Sequence, residues 1–298
     1  MTEVAGWHDG ERVLQERAGV ADRMTELGGR VLRDHLIEQH RAFYPLLPML
    51  VTGSLDAQGQ PWASLLAGPP GFASAPTPYA LRVAARPLPG HVLADHLAPG
   101  APLALLGLQA HTRRRNRLNG RITALDDAGF ELAVGQSFGN CPRYIHPREA
   151  LYAPAGEEGV TRELAAWDDE ALAMVRAADT LFIATAHPRA RTSDDPRHGL
   201  DVSHRGGPAG FVQVDAQGDL LLPDYAGNTF FNTLGNLQLE PRCGLLFVDW
   251  ASGARLHVAA RGELAWQGGE RFVRLQLLRA VHVRGGLPLQ WREAVSPS

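Results

Sequence analysis

The sequence predicts a mainly β protein (α+β in class), built as two tandem small antiparallel barrels with flanking helices. Three observations carry that expectation. The segment SLLAGPPGF at 64–72 aligns with SHRGGPAGF at 203–211 at an offset of 139, while Pro99, Arg113 and Gly120 match Pro241, Arg255 and Gly262 at an offset of 142. A fixed period with a small shift in a loop is the mark of an internal duplication. Within each copy, short apolar runs alternate with Gly- and Pro-rich turns, the pattern of small antiparallel sheets. The copies span 42–135 and 172–267. The chain accordingly divides into an N-terminal helical segment at 1–41, a first unit with its connector at 42–150, and a second unit with a C-terminal helix at 151–298.

Taken in order, the first 40 residues are read as helical. PMLVTGSLDAQGQPWAS at 48–64 is an apolar run, a DAQG turn and a second run, hence a hairpin. Its counterpart is 180–186 followed by 200–203, with the polar loop HPRARTSDDPRHG in place of the tight turn; an excursion of that length is often functional. Strands are expected at 210–214, 219–222, 244–249 and 255–261. Residues 227–239 break the pattern. Phe230, Phe231, Leu234 and Leu237 recur at helical spacing, with Tyr225, Asn228, Asn232 and Asn236 on the opposite side. A further helix is expected at 268–282.

Composition narrows the function. At 298 residues and 45% hydrophobic content the chain can bury a full core, and a formal charge of −3 gives no global pull toward nucleic acid or an anionic membrane. The N-terminus is too polar for a secretory signal and no apolar run is long enough to span a membrane, so a cytoplasmic location is expected. All 29 basic side chains are arginine. A chain without lysine cannot form a pyridoxal phosphate Schiff base or a Walker A loop. Its two cysteines, Cys141 and Cys243, are far apart, which argues against a disulfide framework or a cysteine-rich zinc site. GxSxG, HExxH and GxGxxG are all missing.

With lysine and asparagine both scarce, the surviving asparagines mark positions where an amide is needed. All six fall in three segments: RRRNRLNG at 113–120, QSFGNCPRYI at 136–145 and PDYAGNTFFNTLGNL at 223–237. With WAS at 62–64 and DVSHRGGPAGF at 201–211, these resemble the pyridoxamine 5′-phosphate oxidase-like, FMN-binding split-barrel superfamily, closest to its tandem-barrel branch. The resemblance covers nearly the whole chain. It implies two split β-barrels, FMN as cofactor and an oxidoreductase acting on a small molecule. Two departures stand out. The chain ends soon after Trp291 without the flavin reductase or ferredoxin-like module of some relatives, and Phe231-Asn232-Thr233 stands where true pyridoxamine phosphate oxidases carry a phosphate-gripping Ser-Arg-Lys.

The cofactor contacts follow from residue chemistry and the resemblance together. Ser203, His204, Arg205 and Gly206 suit a phosphate: a hydroxyl, a bidentate guanidinium and a backbone open to close approach. Tyr225, Asn228, Asn232 and Thr233 present polar groups at turn spacing, although Asn228 would serve equally as a helix cap. If 113–121 is a strand, Arg113, Arg115, Arg117, Asn119 and Arg121 share one face. That face contacts a cofactor or anionic substrate, forms a charged interface, or is solvated. Gln136 and Ser137 could hydrogen-bond a flavin, whereas Cys141 reads as an inert thiol. No residue qualifies as a general base. One flavin per chain is expected, held between the units. A non-catalytic flavin or haem carrier served by a separate NAD(P)H-dependent reductase is the rival, and a homodimer remains open.

Overall fold

The computed structural model describes residues 6–87, 92–139, 141–153, 159–267 and 270–293. It is built mostly of antiparallel strands. The N-terminal segment forms α1 (Asp9–Arg17), α2 (Ala21–Val31) and the short α3 (Glu38–Arg41). α1 begins in a capping box: the His8 ring accepts from Gly10 N at 3.2 Å, and Glu11 accepts from His8 N at 2.9 Å.

The first sheet contains β1 (Met49–Leu55), β2 (Pro61–Ala67), β3 (Ala73–Thr77), β4 (Ala80–Val83), β5 (Pro102–Gln109), β6 (Arg114–Asp126) and β7 (Gly129–Gly139), in the order β2-β1-β5-β6-β7-β4-β3. A ribbon strand, β8 (Arg148–Tyr152), follows the connector, then β9 (Val160–Leu164) and α4 (Asp169–Ala177). The second sheet contains β10 (Thr180–Ala186), β11 (Leu200–Gly206), β12 (Gln213–Val214), β13 (Leu220–Pro223), β14 (Arg242–Val248), β15 (Arg255–Gln267) and β16 (Glu270–Arg284). Its order is β11-β10-β14-β15-β16-β13-β12, with β9 paired to β16. Strand for strand, the two orders are the same. The last strand, β17 (Leu289–Glu293), pairs with β8.

Registers agree too. Thr52 faces Ser64 in the first hairpin as Ile183 faces Ser203 in the second. The long hairpin β6–β7 slips between Asn119 and Gly120, and β15–β16 slips between Ala259 and Ala260. These matching bulges align β6 with β15 at an offset of 140 rather than 142, so Arg115 corresponds to Arg255 and Arg117 to His257. The sequence matches Arg113/Arg255 and Gly120/Gly262 are thus two residues out of register, a slip that keeps every side chain on its own face because strand periodicity is two.

Each sheet has its own apolar core, one around Leu50, Leu105, Leu118 and Phe130, the other around Ile183, Leu245, Leu256 and Leu275. A third cluster lies between the sheets, where Val51, Ala104 and Leu106 meet Phe182, Ala184 and Val202. The seam is tight. A Cβ on Gly244 would fall 2.4 Å from the Pro61 carbonyl oxygen.

Two expected helices change. Of the helix expected at 268–282, residues 270–282 instead belong to the long strand β16, and 268 and 269 lie outside the described residues. Its apolar side chains Val273 and Leu275 point inward, Leu278 is left unpaired at the bulge, and Ala280 then takes the inward face. A bulge that flips the parity spaces apolar residues as a helix would. The helix expected at 227–239 shrinks to α5 (Asn232–Leu239), because Thr229 and Phe231 adopt left-handed φ of 62° and 63°. Tyr225 and Asn228 therefore lie in a loop, off the amide row of the helix.

Candidate functional site

Where β6 of the first sheet meets β11 of the second, a cavity of about 300 Å³ opens between the sheets. β6 contributes Arg115 and Arg117, and β11 contributes His204, Arg205 and Gly206. The loop from Pro223 into α5 supplies one wall, the connector residues Cys141, Arg143 and Tyr144 another, and Ala18 and Val20 of the N-terminal segment close the side.

The alternation of β6 explains the polarity. Leu118 and Ile122 are buried in the first sheet's core, which leaves Arg115 and Arg117 facing across the seam. Arg117 is 8% exposed and fixed on every side. It donates to Asp201 Oδ1 at 2.5 Å, Ser203 Oγ at 2.5 Å and Asn232 Oδ1 at 3.1 Å. Ser203 donates in turn to Asp201 Oδ2 at 2.9 Å and shares a 2.7 Å hydrogen bond with Thr233. Asn232 also donates to Glu11 Oε1 at 2.5 Å, tying α1 to α5. Gly10 and Gly235 permit that approach, since a Cβ on Gly10 would sit 2.1 Å from the Gly235 carbonyl oxygen.

Arg115 is the unbalanced member. Its guanidinium donates to His204 Nδ1 at 3.0 Å, and among the described residues it has no carboxylate partner. Burial, and then the nearby charges of Arg117 and Arg205, lower its pKa to about 9. Arg205 pairs with Asp224 at 3.3 Å, a carboxylate shared with Arg271. The buried Nε atoms of Arg115 and Arg117 lack acceptors. Guanidinium groups converging on one cavity, one of them without a carboxylate partner, suit an anion.

His204 is neutral, its pKa held well below the usual histidine value by burial and by Arg115. Because arginine can only donate, Nδ1 of His204 is the acceptor and its proton lies on Nε2. Glu11 moves the other way. Burial raises its pKa to about 8, so it is largely protonated at neutral pH.

Backbone geometry reinforces the reading. Of the four non-glycine residues with positive φ among those described, Tyr144, Thr229 and Phe231 all line this cavity. Such strain concentrates at functional sites. The left-handed Phe231 starts α5 without a side-chain cap, and the first-turn residues Asn232, Thr233 and Leu234 line the cavity. Tyr144 stacks on Tyr225 with ring centroids 5.2 Å apart, forming an aromatic rim.

Of the residues singled out from the sequence, His204, Arg205, Gly206, Tyr225, Asn228, Asn232, Thr233 and Arg115 line the cavity, and Ser203 lies directly beneath it. The other four lie elsewhere. Arg113 adopts φ 54° in a turn before β6, outside the strand face expected for it. Asn119 is buried beyond the cavity, Gln136 reaches toward the Gly6 carbonyl at 3.5 Å, and Ser137 holds the N-terminal segment through His40 Nδ1 at 3.0 Å. Arg121 shares the expected face but donates to the carbonyls of Ala190 and Ser193, pinning the long 187–199 loop. Asn140 lies outside the described residues.

Sequence reading overlooked Asp201, Glu11, Asp224, Arg271 and Tyr144. Asp201 stood within a quoted motif, and its alternation with Ser203 on one strand face was the available signal. Glu11 had only its capping-box position.

No protein-family model matches the chain, and no curated protein matches it. Among solved structures, 42% of the chain is similar to 98% of an FAD-binding protein from Mesorhizobium loti, at 13% identity and a TM-score of 0.30. Similarly, 40% of it covers 95% of HutZ, described as a heme storage protein from Vibrio cholerae, at 14% identity and a TM-score of 0.28. An inhibitor of motility from Bacillus subtilis aligns over 78% of the chain and 87% of its own, at 8% identity and a TM-score of 0.18. Among the described residues, no helix is long and apolar enough to cross a membrane.

Proposed function

We propose that the chain is a cofactor-binding protein formed by duplication of one split-barrel unit, with a single phosphate-accepting site at the seam. The particular cofactor is FMN. The observation that carries the first step is the meeting of Arg115, Arg117 and Arg205 in one cavity, where Arg115 has no carboxylate partner among the described residues, at the uncapped start of α5. The second step rests on the likeness of the motifs at 113–120, 201–211 and 223–237 to FMN-binding split barrels, together with a donor set that fits a phosphate monoester.

In this reading Arg115 and Arg205 bind the phosphate, while Asp201 and Ser203 hold Arg117 rigid beneath it. The first amides of α5 complete the cradle. Tyr144 and Tyr225 shield the cavity mouth from water. A bound flavin would supply electron or hydride transfer. The protein contributes position and positive charge, and none of the cavity's side chains is placed as a general base. Small-molecule oxidoreduction is the activity we favour; carriage of a flavin reduced by a separate NAD(P)H-dependent enzyme is the rival. Haem is disfavoured at His204, because Arg115 occupies Nδ1 and the proton then lies on Nε2, leaving neither ring nitrogen free to ligate iron.

Titration of the purified protein decides among these. FMN should bind with its absorbance bands perturbed, and riboflavin, which lacks the phosphate, should bind about 100-fold more weakly, the equivalent of two charge-assisted hydrogen bonds. Equal affinity for the two flavins would remove the phosphate site from the account, and a Soret band after haem addition that His204→Ala abolishes would favour haem. Bleaching of bound FMN by NADH or NADPH alone marks a self-sufficient oxidoreductase.

A further inference from the structure

A second cavity, about 320 Å³ in volume, lies on the other side of His204. Its chemistry is different. The walls are apolar and aromatic, formed by Met49, Leu108, Ile145, Tyr152, Trp250 and Trp291, and the β8–β17 ribbon serves as its roof. Trp250 meets Trp291 edge-on, with centroids 5.2 Å apart, and the Arg148 guanidinium lies 4.9 Å from the Trp250 ring while it pairs with Asp179. The rim is therefore braced. The cavity opens to solvent past Leu46, Leu151 and Tyr152, which leaves part of its apolar lining uncovered. The volume falls within the range of small-molecule sites, which combine apolar walls with a few placed polar groups.

The lining of this second cavity also includes polar residues, among them Gln109, His111, His146 and Glu149, and His204 is the residue it shares with the arginine cavity. Since Arg115 fixes the His204 proton on Nε2, that nitrogen is a donor awaiting an acceptor. The connector separates the two cavities, with Arg143 and Tyr144 facing the arginine site and Ile145 and His146 facing this one. His146 holds the crossing in place through the Gly207 carbonyl at 2.8 Å.

We propose that this cavity is a binding site for a flat, apolar small molecule of about two fused rings that carries one hydrogen-bond acceptor, such as a carbonyl or hydroxyl oxygen, directed at His204. His204 is then the common wall of two sites, one for an anionic group and one for an aromatic body. The inference does not depend on the identity of the phosphate-bearing ligand.

The probe is 2-naphthol, with naphthalene as the partner lacking the acceptor, titrated against wild type and two cavity-filling variants. Leu46→Trp acts from the half-exposed rim, and Ala150→Trp from the ribbon; thermal melting of each reports its folding. Wild type should bind 2-naphthol saturably, with Kd on the order of 10 μM, and naphthalene about tenfold more weakly. Each variant should lose at least tenfold in 2-naphthol affinity while retaining its affinity for inorganic phosphate. Should Ala150→Trp not fold, Leu46→Trp decides. Absence of saturable 2-naphthol binding, or wild-type affinity in the folded variants, overturns the proposal. Binding of 2-naphthol without any binding of FMN would support this site and overturn the FMN reading instead.

Discussion

The two halves of the seam are built alike and finished differently. β5 and β6 pack on β11, and by the matching registers β14 and β15 pack on β2. On the first side, Arg117 reaches Asp201 and Ser203 beneath an open arginine cavity. On the other, His257 stands in place of Arg117 and bonds the Ala63 carbonyl at 2.9 Å, Trp62 replaces Asp201, and Leu66 replaces Arg205. Trp62 is 2% exposed and packs against Ala259, Val281 and Val283. Its Nε1 donates to Asp56 Oδ2 at 3.1 Å, and Arg279, 4.9 Å from its ring, closes over it onto the same carboxylate. One scaffold thus yields a cavity and a plug. Two sheets with the same strand order need not both keep a site, because one seam can be closed by packing.

The contrast can be broken from either side. Trp62→Ala should cost about 3–5 kcal/mol in urea unfolding, as for other buried tryptophans, yet create no second phosphate site, since no arginine pair faces the vacated space. A second equivalent of FMN bound by this variant would show that the halves differ only by the plug. Arg117→Ala should cost about 3 kcal/mol by leaving Asp201 buried and unpaired. His257→Ala, which strands no charge, should cost less, and equal losses would contradict the asymmetry.

Arg115→Ala should weaken FMN by about 2 kcal/mol, roughly 30-fold, without loss of stability, because it relieves crowding among like charges. Arg255→Ala, its counterpart, should leave FMN affinity unchanged in the same titration. The smallest effect concerns α1, which covers only the open side. With a folded pKa of about 8 against an ordinary value of 4.5, Glu11 is favoured in its protonated form, so its contribution is fullest below pH 4.5 and is lost as pH rises toward 8. Glu11→Gln should therefore flatten the fall in stability over that window. An unaltered pH profile would remove Glu11 from the site's charge balance.

Much of this arrangement was legible in the sequence. The hairpins and the arginine face of β6 follow from period-two alternation and turn residues, which are local. The C-terminal strand was not, because the bulge at Leu278 imposes a spacing that alternation cannot distinguish from a helix. Asn228 looked helical because left-handed residues at Thr229 and Phe231 leave no mark in hydrophobic periodicity. The Asp201 partner of Arg117 was not legible, because it comes from a sequence separation that only tertiary folding closes. Gln136 and Ser137 carry suitable groups, but the N-terminal segment uses them.

The most direct test is the calorimetric stoichiometry of FMN on the wild-type chain, repeated with Arg115→Ala and Arg205→Ala together. The account predicts one FMN per chain and loss of at least 100-fold in affinity in the double variant. Two equivalents per chain, or an affinity untouched by the double substitution, would contradict it.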